Sequence, residues 1–211
     1  MQIAIPLFDR FTALDAVGPY EVLSRLPGAR VEFVAAERGV VRTETRMLGL
    51  EAERTLDELP APDVIVVPGG IGSRTALADE RLLDWVRAAH AGSRYTTSVC
   101  IGSLILQAAG VLDGLEATTH WLALDRLERP VSARFVEQGK VITAAGVSAG
   151  IDMALMLADR IAGPDVAQAI QLGIEYDPAP PFDSGSPGKA PESVRALVEA
   201  AQRAEEEAAA V

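Results

Sequence analysis

Cysteine and histidine are scarce in this sequence. Its 211 residues include one cysteine, Cys100, and two histidines, His90 and His120. A single cysteine excludes an intramolecular disulfide, so the composition requires no oxidising compartment. The histidines show no His-x-x-x-His spacing and no Cys-x-x-Cys pair is present, so the sequence predicts no metal site.

Basic residues and long apolar runs are also few. The 19 Lys and Arg residues against 30 Asp and Glu residues give a net charge of −11, which argues against a large basic surface for nucleic acid or anionic lipid. No apolar run approaches the roughly 18 residues that span a bilayer. The start, MQIAIPLFDR, lacks the basic and long apolar regions of a secretory signal. We therefore expect a cytoplasmic protein with neither nucleic-acid nor membrane partners.

The sequence does have a clear alternation of strand-like and helix-like segments. β-branched runs such as DVIVV (63–67) and YTTSV (95–99) alternate with amphipathic stretches such as 79–91. This pattern predicts an α/β fold, a doubly wound, mostly parallel sheet between helices, in a single domain over 1–211. We also expect a hairpin within 40–54, a strand over 117–119, a short helix over 120–127, irregular chain over 177–191 and a fraying acidic helical tail over 200–211.

Three loops of this fold carry polar or small residues that suggest a site. Asp15 follows the first strand, Gly69 and Gly70 follow the strand at 63–67, and Cys100 follows the strand at 95–99. In open α/β sheets, sites form beyond the carboxyl ends of the strands. The sequence therefore predicts one site built from these three segments.

Cys100 lies at the joint between the strand and the following helix. A lone cysteine is most often a buried small hydrophobe. At a strand-to-helix elbow, however, a residue is exposed at the sheet edge, and the helix N-terminus stabilises a thiolate and lowers its pKa. The position therefore favours a nucleophile with a lowered pKa.

The other candidates have both a structural and a catalytic interpretation. Asp15 is a helix N-cap, a general acid or base beside the cysteine, or both. Gly69 and Gly70 form a tight turn or direct an amide into the site, where the amide of Ile101 would be a second donor to developing negative charge. His120 is a structural histidine at a strand end or a substrate contact.

His90 is a weaker candidate. It lies near the C-terminus of a predicted helix, where a histidine makes a surface contact with the helix dipole. We therefore do not include it in the predicted site.

Several stretches together resemble a known superfamily. DVIVVPGG, TTSVCIGSLILQAAGVLDG, ATTHW and AGVSAGIDMALML resemble the ThiJ/PfpI superfamily, whose flavodoxin-like fold is similar to that of class I glutamine amidotransferases. LDAVGPYEVL and IEYDPAPPFDSGSP look most like its isocyanide hydratase branch, and the resemblance covers residues 2–200. Members with peptidase or glyoxalase-like chemistry often have His after the cysteine or Glu in place of Asp15, and neither is present here.

The resemblance implies a homodimer without metal or organic cofactor that hydrates isocyanides to N-formamides. It assigns the nucleophile to Cys100, the acid/base carboxyl group to Asp15 and the oxyanion-type donors to the amides of Gly70 and Ile101. Sulfur would attack the isocyanide carbon, Asp15 would deliver a proton to give a thioimidate, and water would release the formamide. The branch commonly has threonine after the cysteine, where this chain has Ile101.

Two other functions fit parts of the pattern. A cysteine-based redox or stress sensor of the same superfamily, without isocyanide turnover, is the alternative, because a thiolate at the elbow oxidises readily. The ligand-sensing half of a transcription regulator is a third interpretation, which the lack of a basic face and of a helix-turn-helix pair disfavours.

Overall fold

The computed structural model describes the backbone of residues 1–209 and the side chains through residue 204. Within these residues the strands are β1 (Gln2–Pro6), β2 (Arg30–Ala35), β3 (Gly39–Arg42), β4 (Gly49–Ala52), β5 (Arg54–Thr55), β6 (Val64–Val67), β7 (Tyr95–Val99), β8 (Phe135–Gln138) and β9 (Val141–Ala144). The α-helices are α1 (Ala13–Leu23), α2 (Ser73–Ala76), α3 (Glu80–Gly92), α4 (Gly102–Ala108), α5 (Ala149–Ala162), α6 (Pro164–Gly173) and α7 (Glu192–Ala209). Short 3-10 helices occupy Leu56–Glu58 and Trp121–Arg126.

Seven of the strands form one sheet, in the order β5-β2-β1-β6-β7-β9-β8. Neighbours are parallel except β8 and β9, which pair antiparallel. β3 and β4 form a separate antiparallel hairpin. The predicted mostly parallel sheet and the predicted hairpin are both confirmed.

Alternate residues of the central strands build two cores, because successive side chains point to opposite faces of a sheet. On β1, Ile3 and Ile5 pack in the core that also contains residues of α1, α5 and α6. Ala4 between them packs in the core that contains residues of α3 and α4. On β6, Val66 packs in the first of these cores and Ile65 in the second. Helices therefore cover both faces, as a parallel sheet requires, and the carboxyl edge is left for a site.

The strand order reverses between β1 and β6. The chain runs from β1 to β2 on one side of this point, and from β6 to β7 and β9 on the other. Ligands of doubly wound folds bind in the crevice beyond the strand ends at such a reversal. The segments that follow β1, β6 and β7 carry Asp15, Gly69 and Cys100 respectively, so the topology brings the three predicted segments together.

The strand predicted over 117–119 is wrong. Ala117 makes only an isolated bridge with Pro130. The bridge uses the N–H and the carbonyl oxygen of Ala117 with Arg129 and Val131. The next residue, Thr118, donates its N–H to the Thr143 hydroxyl at 2.9 Å, so its backbone adds no further rung to the pairing. The short helix expected next is confirmed as the 3-10 helix Trp121–Arg126.

The residues from Tyr176 onward form a second compact unit, separate from the unit Met1–Glu175. The predicted irregular stretch at 177–191 has no helix or strand, and α7 follows it. The predicted fraying over 200–211 reaches beyond the described residues, and it stays a prediction, as does a single domain over 1–211.

Candidate active site

Cys100 joins β7 to α4 in a left-handed backbone conformation, with φ of 57°. Its N–H donates to the carbonyl oxygens of Ala144 and Ala145 at 3.1 and 2.9 Å. Its own carbonyl oxygen accepts from Thr119 Oγ1 at 2.9 Å and from Ser103 Oγ at 3.2 Å. A non-glycine residue with positive φ is strained and persists only where its surroundings fix it. These hydrogen bonds fix the elbow that the strand-to-helix joint predicted.

Asp15 lies in the first turn of α1 with its side chain fully buried. The Gly69 N–H donates to Asp15 Oδ2 at 2.9 Å, while Oδ1 is buried without a nitrogen or oxygen partner among the described residues. The N-cap position belongs to Thr12, so the interpretation of Asp15 as the N-cap is wrong. The carboxyl group is directed instead across the sheet edge to the loop after β6.

Burial changes the protonation of Asp15. Desolvation raises the pKa of Asp15 from 3.8 to about 7, and the negative charge of Glu44 adds to this effect. Hydrogen bonds with the Gly69 amide and with the Cys100 side chain act in the opposite direction. Asp15 therefore exchanges a proton near neutral pH, which is what a general acid or base requires.

The thiol of Cys100 has a raised pKa, not the lowered one that the sequence predicted. Cys100 is 6% exposed, and desolvation together with the charge of Asp15 raises its pKa well above 9.0. The amides of Ile101 and Val147 donate to the sulfur and lower the pKa, but burial outweighs them. The helix N-terminus that the sequence predicted is present. The sequence prediction did not include the desolvation of the Cys100 sulfur, which raises the pKa of the thiol.

The two glycines after β6 have different roles. A Cβ on Gly69 would lie 2.7 Å from Ile101 N and 3.0 Å from Asp15 Oδ2, so only glycine allows the carboxyl group and the elbow to approach this closely. Its amide serves Asp15 rather than a developing oxyanion. Gly70 has φ of 131°, and a Cβ there would lie 2.4 Å from Thr12 N. The amides of Gly70 and Ile101 stay the predicted oxyanion donors.

Glu44, from the turn of the β3–β4 hairpin, also belongs to this region. Its Oε1 accepts from Thr12 Oγ1 at 2.8 Å and from the Ile71 N–H at 3.1 Å. Glu44 and the sulfur donor Val147 were not selected from the sequence. Val147, with φ of 40°, follows β9 at the same edge of the sheet, and this position is the signal that could have identified it. Glu44 precedes β4, and no pattern indicates that it reaches the site.

Comparison with known proteins identifies the family. The model of the DJ-1/PfpI family matches residues 1–160. The chain belongs to the DJ-1/PfpI family. It is 47% identical over 198 residues to isonitrile hydratase from Pseudomonas putida, a match that covers 92% of this chain and 86% of that protein.

Solved structures agree with this membership. A THiJ/PfpI family protein from Pseudomonas syringae superposes with a TM-score of 0.93 at 36% identity, covering 99% of this chain and 89% of that one. Oxidized DJ-1 from Toxoplasma gondii gives a TM-score of 0.76 at 22% identity, covering 84% and 99% of the two chains, and this likeness shows the fold alone. The superfamily resemblance and the predicted fold are confirmed.

The two histidines of this DJ-1/PfpI protein have structural partners. His120 Nδ1 accepts from the Leu122 N–H at 3.4 Å, and its ring lies against Gly146, where a Cβ would be 2.4 Å from His120 Cδ2. Burial lowers the pKa of His120, and the charge of Glu44 acts against this, so the ring is electrostatically coupled to the site. A substrate contact by His120 stays a prediction.

His90 lies near the amino end of β7, at the end opposite to Cys100. Its Nδ1 is 2.9 Å from Oγ1 of Thr96, near the start of β7. Burial and, to a lesser extent, the charge of Lys140 lower the pKa of His90. His90 lies in the last turn of α3, at the helix C-terminus that the sequence predicted, and its Thr96 contact places it at the opposite end of β7 from Cys100.

The described residues contain no group of three or more His, Cys, Asp or Glu side chains arranged to hold a metal ion. Within that same part of the DJ-1/PfpI chain, no helix has the length and apolar character needed to cross a bilayer.

Proposed function

We propose that this chain is a cysteine-dependent hydratase that converts isocyanides to N-formamides through a thioimidate on Cys100. The observation that carries the proposal is the buried pair of Cys100 and Asp15 at one edge of the sheet, with Cys100 on a strained elbow and Asp15 held by the Gly69 amide. Burial raises the pKa values of both groups. The 47% identity to the isonitrile hydratase of Pseudomonas putida supports the substrate class.

The first step uses both protons of the pair. An isocyanide carbon has to gain a carbon–sulfur bond and a carbon–hydrogen bond to become a thioimidate. Cys100 sulfur attacks this carbon while Asp15 delivers its proton there, and the thiol proton passes to Asp15. Isocyanide and thiol thus combine to R–N=CH–S–Cys, and Asp15 is again protonated, so one carboxyl group is sufficient.

The second step is the addition of water. Asp15 transfers its proton to the substrate nitrogen and accepts one from water as the oxygen bonds to the thioimidate carbon. The amides of Gly70 and Ile101 stabilise negative charge that develops there. The carbon–sulfur bond then breaks, the hydroxyl proton returns to sulfur through Asp15, and R–NH–CHO leaves. The sum is one isocyanide plus one water giving one formamide.

The proposal extends to the setting of the enzyme. We expect a homodimer that acts on small molecules without a metal or organic cofactor, as the family resemblance implies, and a cytoplasmic location, as the single cysteine suggests. We include His120 as a substrate contact, since the charge of Glu44 raises the pKa of His120 as it raises that of Cys100.

The raised pKa of Cys100 favours the hydratase over the redox sensor. Oxidation to sulfenic acid proceeds from the thiolate, and burial disfavours the thiolate here. Attack on an isocyanide instead needs a proton at the carbon in the first step, which a neutral thiol and carboxyl pair holds, and the water added in the second step restores that proton to the pair.

The test is formamide production from para-nitrophenyl isocyanide. Cys100→Ala should abolish turnover, and Asp15→Asn should reduce kcat by about a hundredfold or more, the size of a general acid–base contribution. The exposed Asp113→Asn is the matched control and should turn over normally. Absence of turnover in the unmodified protein, with Cys100 reduced, would overturn the proposal.

A further inference from the structure

The β3–β4 hairpin brings a carboxylate to the catalytic edge of the sheet. The backbone of Thr43 bridges to Phe11, and the Glu44 N–H donates to the Phe11 carbonyl oxygen at 3.2 Å. These contacts attach the end of the hairpin to the segment between β1 and α1. The position of Glu44 is therefore set by backbone pairing as well as by its side chain.

Two donors from different loops hold the Glu44 side chain. Thr12, the N-cap of the helix that carries Asp15, donates through its hydroxyl at 2.8 Å. Ile71, next to Gly70, donates through its N–H at 3.1 Å. Both donors bond to the same oxygen, Oε1. The carboxylate is thus fixed between the loop of the proposed acid and the loop of a proposed oxyanion donor.

The charge of Glu44 acts on groups from three separate elements. It raises the pKa of Asp15, of Cys100 and of His120. The side-chain charges that act on Cys100 are those of two carboxyl groups, Asp15 and Glu44. A negatively charged substrate or reagent that approaches the sulfur is therefore repelled by the like charge of these groups, whereas a neutral molecule is not.

We propose that Glu44 selects substrates by charge, so that the site accepts neutral isocyanides and repels those that carry a carboxylate or phosphate group. This inference rests on the proposed function and adds to it the substrate class. Glu44 acts as a specificity-determining residue, since its carboxylate is held between the loops that carry Asp15 and Gly70 and takes no part in bond making.

A pair of thiol reagents of nearly equal shape tests the inference without isocyanide chemistry. Iodoacetamide is neutral and iodoacetate is an anion, and with each of them Cys100 sulfur bonds to the methylene carbon as iodide leaves. Both rates depend on the same thiolate fraction, so their ratio cancels any change in the pKa of Cys100. The preference for iodoacetamide should fall about fivefold or more in Glu44→Gln at low ionic strength.

Glu51→Gln is the matched control. Glu51 is exposed on β4 of the same hairpin, and its substitution changes the net charge by the same amount. It should leave the reagent preference as it is in the unmodified protein. An equal ratio in Glu44→Gln and Glu51→Gln would overturn the inference.

Salt provides a second readout, and its first part needs only the unmodified protein. Raising the ionic strength from about 0.01 M to about 1 M shortens the Debye length from roughly 30 to 3 Å. Iodoacetate should then gain on iodoacetamide in the unmodified protein, and by less in Glu44→Gln. If Glu44→Gln does not fold, this measurement decides, and a preference independent of salt contradicts the inference.

The substrate itself completes the test. Methyl isocyanoacetate should have a higher kcat/KM than isocyanoacetate, and Glu44→Gln should narrow the difference. Failure of the hydratase proposal would appear as no turnover of either isocyanide, while the alkylation ratio would still report on Glu44. If the unmodified protein converts methyl isocyanoacetate and isocyanoacetate with equal kcat/KM, charge selection by Glu44 is contradicted while the hydratase proposal stands.

Discussion

The amide of Gly69 donates to the carboxyl group of Asp15 at 2.9 Å, joining residues 54 positions apart in the chain. A buried carboxylate that is ionised commonly accepts two or three such bonds. Here the second oxygen, Oδ1, has no nitrogen or oxygen partner among the described residues. One amide bond does not compensate for the loss of water, so Asp15 keeps its proton to a higher pH.

Asp15 should therefore make the folding stability depend on pH. Its pKa is 3.8 in the unfolded chain and about 7 in the fold, so the folded state binds more protons within this window and stability falls as pH rises through it. Asp15→Asn, which keeps an acceptor for Gly69, should increase the free energy of unfolding above pH 7 by about 2–4 kcal/mol. Urea denaturation of both proteins at several pH values measures this.

The difference between the two proteins should disappear below the unfolded pKa of 3.8, where both states are protonated. Asp113→Asn, at an exposed position, is the control and should follow the unmodified protein. A difference that does not change with pH would mean that folding leaves the pKa of Asp15 unchanged.

The pH dependence of Cys100 alkylation should respond to Asp15. Burial and the charge of Asp15 both raise the pKa of the thiol, so the iodoacetamide rate should still be rising above pH 9. In Asp15→Asn the charge is absent and the profile should move to lower pH. Stopped-flow alkylation across the neutral and alkaline range measures the shift, and identical profiles would show that the two groups are not coupled.

The elements that place Cys100, Asp15 and Gly69 could be predicted because their signals are local. A β-branched run before Cys100 and small residues after it indicate a strand, an elbow and a helix, and the parallel-sheet rule then gives the shared edge. The pKa of Cys100 could not be predicted in this way. It depends on the amount of water left around the sulfur, which only the packing of several loops determines.

Glu44 illustrates a second limit. Its contacts with Thr12 and Ile71 join segments 32 and 27 positions away, and polar residues in a hairpin turn are usually solvated. Thr119 is a second residue that the sequence did not indicate, because in the stretch ATTHW only His120 is of a type usually considered for catalysis. The neighbouring threonine makes the contact with the elbow, its hydroxyl bonding to the Cys100 carbonyl oxygen at 2.9 Å.

Thr119 should therefore matter for the strained elbow. Thr119→Val removes the donor and leaves a buried carbonyl with one partner fewer, which should cost about 1–3 kcal/mol of folding free energy and lower turnover. Thr119→Ser keeps the hydroxyl and should recover most of the turnover. Thermal unfolding and formamide production on the two variants measure this, and equal behaviour of Val and Ser would refute a role for the hydroxyl.

Gly70 provides the sharpest test of how the loop after β6 is built. Its φ is 131°, and a Cβ there would lie 2.4 Å from Thr12 N, a backbone atom that cannot move aside alone. Gly139 also has a positive φ, 62°, but a Cβ there has nothing within 4 Å. Gly70→Ala should thus cost about 3 kcal/mol or more, from strain plus overlap, and Gly139→Ala only about 1 kcal/mol from backbone strain.

Urea denaturation of the two alanine variants measures the difference. Because Thr12 also donates to Glu44 and begins the helix of Asp15, displacement of the Gly70 loop should reduce turnover in whatever fraction of Gly70→Ala stays folded. Gly139→Ala should keep normal turnover. Equal stability costs at the two positions would mean that the loop after β6 has room for a side chain, and the close approach of Gly70 to Thr12 would not be what shapes the site.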